Sequence, residues 1–319
     1  MPHEITIQQK LLTPEEIAAQ TGSAIPYLRL PERPSVFADR ASRLRQLATD
    51  HAMAGYLEFI ALVADEQQRL LDQMPPVRLP SPAQIKQCNE HGIPPLNCQS
   101  HARDQAWCNG LRHLLRSLAD RTTGQLNETV VKLERSRDEL YEAQASKLLS
   151  GITFGLDVTT APLIGAGLQV YFTHLAIALG EGGIVRTDVA TLCPCCGSRP
   201  TSSVGRIGAR EAGYRFLHCA LCSTEWHMVR IKCTNCESTR GVSYLAIDDG
   251  TPVEKKAVKA EVCEECGTYL KICYMDRDPH MDPVADDLAS LPLDLLVAET
   301  GKMPSGVNFM LIHGDPGPE

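Results

Sequence analysis

The residues of this chain best suited to chemistry are four pairs of cysteines, each with the spacing Cys-x-x-Cys. Two intervening residues allow a tight turn to point both sulfurs at one metal ion, and two such turns complete a tetrahedral site. A set of buried structural thiols would not explain this regular spacing. The spacing therefore predicts metal binding by the members of the four pairs, which are Cys193 and Cys196, Cys219 and Cys222, Cys233 and Cys236, and Cys263 and Cys266.

The order of the pairs along the chain predicts which cysteines share a metal. The interval between the first two pairs resembles the interval between the last two, whereas the second and third pairs are much closer together. This is the pattern of an internal repeat, in which each unit is a pair, a hairpin and a second pair. We expect the first two pairs to hold one metal and the last two to hold the other. The alternative is a crossed arrangement, with pair one beside pair three and pair two beside pair four.

A closed site of four sulfurs offers no open position for substrate or water. Such a site is structural or transfers electrons, and does not act as a Lewis acid. Tetrahedral thiolate sites suit both iron and zinc, so the spacing leaves the metal open. The remaining cysteines are expected to bind no metal: Cys195 should point away from it, Cys273 should face the core, and the three single cysteines should behave as small buried hydrophobes. These three are Cys88, Cys98 and Cys108.

Composition and charge narrow the class of protein. The chain has 319 residues, of which 43% are hydrophobic, and its formal net charge is -8. An acidic balance argues against nucleic-acid binding, which depends on Lys and Arg, and weakly against binding a membrane surface. The N-terminus lacks the pattern of a signal peptide, and the apolar region Leu163–Leu179 is interrupted by polar residues, which favours a buried helix over membrane insertion. We expect a cytoplasmic protein, whose reduced thiols serve as ligands and form no disulfides.

The cysteines are unevenly distributed, and this divides the chain. Ten of the thirteen lie between Cys193 and Cys273. Before them, apolar residues recur at helical spacing over Leu57–Leu71 and Trp107–Leu118, and Val130–Ala143 outlines one amphipathic helix. We expect an α+β protein with four parts. These are an all-α domain over 1–185, a first four-cysteine metal ribbon over 186–232, a second over 233–275, and a C-terminal helix and tail over 276–319.

Short strands are expected beside the cysteine pairs, because alternating residues flank them. The acidic segment Asp276–Asp287 is interrupted by prolines and shows no ligand spacing, so we interpret it as a solvated connection. A final apolar helix is expected over Val284–Ala298. The expected strands are Tyr214–Leu217, Trp226–Lys232, Val242–Ile247 and Tyr269–Tyr274.

Taken with the sequence around them, the four cysteine pairs resemble those of the formate dehydrogenase accessory protein family, FdhE. The resemblance covers most of the chain and includes the helical segment Arg43–Leu57 and the segment Ala285–Asp294. It implies a cytoplasmic maturation factor, similar to a chaperone, that binds the catalytic subunit of formate dehydrogenase and is not itself an enzyme. It also implies rubredoxin-like iron at two mononuclear sites of four cysteines each, with zinc as the alternative. The resemblance does not locate the partner-binding residues.

Two other functions fit parts of the sequence. A thiol redox enzyme would use one Cys-x-x-Cys pair at a helix N-terminus, whereas these pairs are expected in hairpins. A zinc-ribbon nucleic-acid binder would use a basic surface, and four arginines form a local basic run. Acids and bases nearly balance across the ribbon region, so we interpret that run as a solvated face. The sequence gives no catalytic residues that we assign. The four arginines are Arg199, Arg206, Arg210 and Arg215.

Overall fold

Helices form most of the chain between residues 36 and 179. The computed structural model of the protein describes residues 26–207 and 213–312. Apolar residues at helical spacing drive these helices together, as in the helix that starts after the capping carboxylate of Asp104, where every buried residue lies on one face. The helices are α1 (Val36–Ala48), α2 (Ala54–Gln73), α3 (Pro82–Glu90), α4 (Gln105–Ala119), α5 (Gly124–Glu134), α6 (Asp138–Ser150) and α7 (Ala161–Leu179).

The expected single helix over Val130–Ala143 is wrong, because the chain breaks between α5 and α6. The break is held by side chains that satisfy the carbonyls at the end of α5. The Tyr141 hydroxyl donates to the carbonyls of Leu133 at 2.8 Å and Glu134 at 3.1 Å. Arg112 donates to the carbonyl of Ser136 at 3.2 Å. Periodicity alone does not reveal such a break, since the apolar spacing continues across it.

Helix α7 lies at the centre of the helical layer. Among the described residues it is the one helix long and apolar enough to span a bilayer, and 78% of its most apolar window is buried inside the protein. Its contacts are with α2, α4 and α6. The expectation of a buried core helix over Leu163–Leu179 is confirmed.

The second half of the chain forms one mixed sheet. Its order is β1-β4-β3-β2-β7-β6-β5, with β8 beside β7, and the parallel pair β2–β7 joins the two cysteine modules. Strand β1 comes from the start of the helical part and pairs with β4. The strands are β1 (Leu28–Arg29), β2 (Pro200–Gly205), β3 (Arg215–Cys219), β4 (Glu225–His227), β5 (Val242–Leu245), β6 (Val258–Cys263), β7 (Thr268–Tyr274) and β8 (Met303–Pro304).

All four expected strands overlap observed ones, namely β3, β4, β5 and β7. Strand β4 is shorter than expected and ends at His227. Strands β1, β2, β6 and β8 were not expected. The sequence of β2, Pro-Thr-Ser-Ser-Val-Gly, lacks the apolar alternation of a half-buried strand, and yet β2 is buried from Pro200 to Val204 and pairs on both edges.

The hydrophobic core is shared between the helices and the first cysteine module. One cluster of buried residues runs from Phe37 and Trp107 to Cys193, Leu217 and Trp226. A second, smaller cluster lies between the sheet and the C-terminal helices, and contains Ala260, Val262, Tyr269, Leu293 and Val297. The first module is therefore part of the main core, whereas the second module lies beside it.

The expected C-terminal helix is present but is interrupted at Ser290. It forms α8 (Pro283–Ala289) and α9 (Leu291–Glu299). The Ser290 hydroxyl donates to the carbonyls of Asp286 at 2.7 Å and Asp287 at 3.1 Å, and Pro292 stands at the start of α9. A side chain that satisfies the last carbonyls of one helix and a proline that favours a helix start explain the break.

The acidic segment Asp276–Asp287 is mostly exposed as far as His280 but largely buried from Met281 onward, so the expectation of a solvated connection is wrong for its second half. Arg43 on α1 binds Asp286 through two hydrogen bonds, from Nε at 3.0 Å and from Nη2 at 2.6 Å. Its Nη2 also donates to Asp278 at 2.6 Å. Arg43 is 7% exposed and Asp286 3%. These side chains fix α8 against α1, because a buried guanidinium needs carboxylates around it.

The basic run in the first module is also not a solvated face, since Arg215 is fully buried. Its Nη1 lies 2.5 Å from a carboxylate oxygen of Glu261 on β6, and its Nη2 donates to the carbonyls of Val229 and Lys232. Arg206 forms an ion pair with Glu225. Arg199 is exposed, and Arg210 lies outside the described residues. Two of these arginines therefore hold the sheet together.

We predict that Arg43→Met destabilises the protein by about 3–5 kcal/mol, because it leaves the buried carboxylate of Asp286 without its counter-charge. Urea unfolding followed by circular dichroism measures the loss. The matched control is Arg45→Met on the same helix, where the arginine is 47% exposed and pairs with Asp65. An exposed pair contributes less than about 1 kcal/mol. Equal losses in the two variants would show that the buried pair has no special role.

Candidate metal centres

Four sulfurs converge where the first cysteine module meets the helical layer. They belong to Cys193, Cys196, Cys219 and Cys222, and all lie within 4.8 Å of one another. The sulfurs of Cys193 and Cys222 are 3.6 Å apart, and those of Cys196 and Cys219 are 3.4 Å apart. All four residues have no solvent exposure. We call this group the inner cluster.

Four more sulfurs converge at the other end of the sheet. They belong to Cys233, Cys236, Cys263 and Cys266, and also lie within 4.8 Å of one another. The sulfurs of Cys233 and Cys266 are 3.7 Å apart, and those of Cys236 and Cys263 are 3.8 Å apart. Cys236 is exposed and Cys266 is half-buried. We call this group the outer cluster. The structure thus groups pair one with pair two and pair three with pair four, and not in the crossed arrangement.

The turns that carry the sulfurs share one backbone geometry. In each, the residue after the second cysteine has a positive φ: +70° at Gly197, 55° at Ser223, 57° at Glu237 and +68° at Gly267. Glycine adopts this conformation without strain, whereas a residue with a Cβ is disfavoured there. Ser223 and Glu237 adopt a positive φ although each has a Cβ. The same turn geometry is therefore kept at all four pairs even where it is disfavoured. This repeated geometry is the structural form of the internal repeat.

Hydrogen bonds to the sulfurs favour the thiolate form. The backbone N–H groups of Leu221 and Cys222 each donate to Cys219 Sγ at 3.4 Å, and that of Asn235 donates to Cys233 Sγ at 3.4 Å. In the outer cluster, burial acts to raise the pKa of Cys266, but hydrogen bonds from Thr268 and Asn235 lower that pKa to about 6. The N–H groups of these turns thus stabilise negative charge on sulfur.

Charge and size together show that the sulfurs fit a tetrahedral metal cation. Burial raises the pKa of Cys193 and Cys196 well above the usual value, so the inner sulfurs cannot all be thiolates without a positive ion among them. A tetrahedral ion with metal–sulfur bonds of about 2.3 Å separates its sulfurs by about 3.8 Å. Four of the sulfur–sulfur distances, at 3.4 to 3.8 Å, lie near that edge, and all of them are below 4.8 Å. Zinc and iron both fit this donor set.

The five cysteines outside the two clusters differ in burial and in whether they border the inner cluster. Cys273 is fully buried on β7, and Cys98 and Cys108 are buried, as expected. Cys88 is only half-buried, so the expectation of a buried residue is wrong there. Cys195 is fully buried and is not one of the four sulfurs of the inner cluster, although a hydrogen bond with Cys222 and burial raise the pKa of its thiol well above the usual value. Its sulfur therefore borders the inner cluster without being one of the four.

Two threonines beside the clusters were missed by sequence reasoning. Thr224 Oγ1 lies 3.2 Å from Cys222 Sγ, and Thr268 Oγ1 lies 3.1 Å from Cys266 Sγ. Each threonine follows the last cysteine of its cluster by two residues. The sequence therefore contained a signal for these two threonines, because each module ends with the pattern Cys-x-x-Cys-x-Thr.

Comparison with known proteins identifies the family. Models of the FdhE N-terminal, central and C-terminal domains match residues 25–187, 192–230 and 231–311. The chain belongs to the FdhE family. The resemblance seen in the sequence is thereby confirmed. The inner cluster lies in the region matched by the FdhE central domain, and the outer cluster in the region matched by the FdhE C-terminal domain.

Individual FdhE proteins match nearly the whole chain. The FdhE homolog of Pseudomonas aeruginosa is 39% identical over 309 residues, covering 97% of this chain and 99% of that protein. The FdhE protein of Salmonella dublin is 38% identical over 297 residues, covering 93% and 94%. The crystal structure of the FdhE protein from Pseudomonas aeruginosa matches with a TM-score of 0.83 and 39% identity, covering 91% of this chain and 100% of that one.

We predict that a chelator removes metal from the outer cluster well before the inner one, because only the outer cluster has an exposed ligand, Cys236. Native mass spectrometry during incubation with EDTA should show a long-lived species with one metal ion. In the variant Cys236→Ser, the metal that remains should be released slowly. In the matched variant Cys219→Ser, it should be released fast.

The same two variants test what each cluster does for folding. Metal binding at a buried site contributes directly to folding free energy, and the inner cluster lies in the core shared with the helices. Cys219→Ser should therefore lower the urea midpoint of the helical signal much more than Cys236→Ser does. Release of both metals at one rate, or equal loss of stability in the two variants, would contradict the distinction between inner and outer clusters.

Proposed function

We propose that this chain is a cytoplasmic accessory factor for formate dehydrogenase, which binds the catalytic subunit of that enzyme and performs no turnover of its own. The proposal rests on membership of the FdhE family. The observation that carries it is the closed form of both clusters. Four sulfurs complete each tetrahedron, so a metal bound there has no position left for a substrate.

The eight paired cysteines are the proposed metal ligands, with one ion in each cluster. The ion is iron, held as in rubredoxin, and zinc is the alternative. The N–H groups directed at Cys219 and Cys233 support a tetrathiolate ion of either kind, since they stabilise the charge on its ligands. A metal in the inner cluster would join the helical layer to the sheet, because that cluster belongs to the shared core.

The two alternative functions have less support. A thiol redox enzyme places its reactive cysteine at a helix N-terminus, whereas these pairs lie in turns next to strands β2 to β7. A nucleic-acid binder needs a basic surface. Arg206 and Arg215 instead form ion pairs with Glu225 and Glu261, so they do not provide one.

The metal is tested on protein purified without oxygen. We expect two iron ions per chain and, after oxidation with ferricyanide, a visible absorption band that disappears on reduction, because ferric tetrathiolate sites absorb visible light and ferrous sites hardly do. Elemental analysis of Cys236→Ser provides the control, with one ion expected. Two zinc ions in a colourless protein would show that the metal is zinc and not iron. Fewer than two metal ions in total would contradict the assignment of one ion to each cluster.

The partner is tested by affinity capture from cytoplasmic extract with the full chain as bait. We expect the formate dehydrogenase catalytic subunit among the captured proteins, and no formate oxidation by the purified chain alone, because its metal sites are closed. The chelated protein is a useful second bait, since it shows whether binding needs the outer metal. Formate oxidation by the isolated chain, or no capture of the subunit under reducing or oxidising conditions, would remove the accessory-factor proposal.

A further inference from the structure

A glutamine interrupts the apolar core helix α7 and contacts the inner cluster. Gln169 lies in the middle of α7 and is 1% exposed. Its Nε2 donates to the carbonyl of Ala220 at 2.8 Å, and Ala220 lies between the cluster residues Cys219 and Cys222. Burying an amide in an apolar core costs free energy unless its hydrogen bonds are made. Here the amide makes one of them to the turn that carries two metal-ligand candidates.

A second buried glutamine extends this contact to helix α2. Gln67, also 1% exposed, donates from Nε2 to Gln169 Oε1 at 3.0 Å and to the carbonyl of Ala166 at 3.1 Å. A backbone carbonyl can only accept, so the carbonyls of Ala166 and Ala220 fix which end of each amide is the donor. The two amides therefore donate in one direction, from α2 through α7 to the turn.

The chain of hydrogen bonds continues through the backbone to a sulfur. The Ala220 carbonyl and the Leu221 N–H belong to the same peptide group, and that N–H donates to Cys219 Sγ at 3.4 Å. A peptide group that accepts a hydrogen bond at its oxygen is a stronger donor at its nitrogen, because the two bonds polarise it in the same sense. We call the side chains of Gln67 and Gln169 and this peptide group the amide relay. It ends on a sulfur without solvent exposure.

The outer cluster provides a comparison within the same chain. The N–H of Asn235 donates to Cys233 Sγ at the same distance, 3.4 Å. The two side chains beside Cys266 Sγ, those of Asn235 and Thr268, belong to the outer module itself. The inner cluster, by contrast, lies in the core that the first module shares with the helices. The amide relay therefore connects the helical layer to one of two otherwise similar sites.

We propose that Gln169 is a positioning residue for the inner metal, through which the helical layer sets the charge state that this site prefers. Hydrogen bonds to ligand sulfurs stabilise the more negative state of a tetrathiolate ion and so raise its reduction potential. Burial keeps salt from screening this effect at the inner cluster. The inference rests on the proposed binding of a metal by the four inner cysteines. It goes beyond that proposal, because it gives a role to two helices that contain no ligand.

The test is a redox titration, followed by visible absorption, of the full chain loaded with two iron ions without oxygen. Cys236→Ser, which should lack the outer iron, shows which of the two midpoint potentials belongs to the inner cluster. Gln169→Met keeps a side chain of similar length and removes its donor. It should shift the inner potential to a more negative value and leave the outer one in place, because the amide relay does not reach the outer iron. Gln67→Met should shift the inner potential in the same direction by less, since Gln169 still reaches Ala220.

Gln144→Met is the matched control. Gln144 is a buried glutamine of α6, 9% exposed, whose amide donates to the carbonyl of Gly155 and accepts from the N–H of Asp157. Loss of these two bonds should lower the urea midpoint and leave both reduction potentials unchanged. If Gln169 acted on stability alone, Gln169→Met would give this same pattern. The reduction potential therefore separates a positioning role from a purely structural one.

Cobalt(II) provides a second readout that needs no redox change. With cobalt in the inner site of Cys236→Ser, adding Gln169→Met should move the sulfur-to-metal charge-transfer bands to lower energy. The reason is that a sulfur with a weaker hydrogen bond gives up charge more easily. If Gln169→Met does not fold, Gln67→Met serves for both measurements.

Three results would overturn the amide relay. They are an inner potential that stays in place or becomes more positive, charge-transfer bands that do not move, and a shift of the same size in Gln144→Met. Failure of the inner cluster to take up iron or cobalt would overturn the metal-ligand assignment itself, and the amide relay with it. Metal uptake with an unmoved potential would leave that assignment standing and remove only the role of Gln169.

Discussion

The burial of four sulfurs in the inner cluster is the constraint on which the rest of the structure depends. Thiolates without solvent exposure need a cation among them, and neutral thiols in contact would give up the charge that the surrounding N–H groups are placed to stabilise. The cluster also ties distant parts of the chain together. Its first turn is held to the helical part by two hydrogen bonds, from Leu96 N to the carbonyl of Cys195 at 3.0 Å and from Cys98 N to that of Cys196 at 2.8 Å.

The two clusters are copies of one repeat that lie in different surroundings. Both have the same turn geometry, the same threonine after the last cysteine and nearly the same sulfur distances. They differ in what covers them. The helical layer covers the inner cluster, whereas the outer cluster rests on a core of five buried residues and exposes Cys236. The two clusters therefore have the same ligand chemistry. Tertiary packing decides how accessible each cluster is to solvent, oxidants and partners.

Much of the cluster geometry could be predicted from the sequence, because the information is local. A Cys-x-x-Cys turn with Gly197 or Gly267 after it specifies its own backbone, and the spacing of the pairs indicated which two turns face each other. The helices with strong apolar faces, such as α4, were predictable for the same reason. The break between α5 and α6 was not, because it depends on where the Tyr141 hydroxyl falls in the folded protein.

The remaining features could not be predicted, because they join residues far apart in the chain. Arg43 and Asp286 are separated by 243 positions, and nothing near either residue shows that they meet. Proline interruptions and the lack of ligand spacing in the acidic segment, and local charge balance around the arginine run, instead suggested solvated segments. That inference overlooks how strongly a buried guanidinium and a buried carboxylate attract each other. The same applies to Arg215 and Glu261, and to strand β2, whose polar sequence is buried in the folded protein with both of its edges paired.

These long-range contacts make the two cysteine modules parts of one sheet and not two independent domains. Strand β2 of the first module pairs in parallel with β7 of the second, and β1 from the start of the helical part pairs with β4. Parallel strands require a long connection, and here that connection contains β3 to β6, including the whole outer cluster. Helix α8 then returns to α1 through Arg43 and Asp286. The buried Arg43 on α1 is therefore paired only when the C-terminal segment is in place.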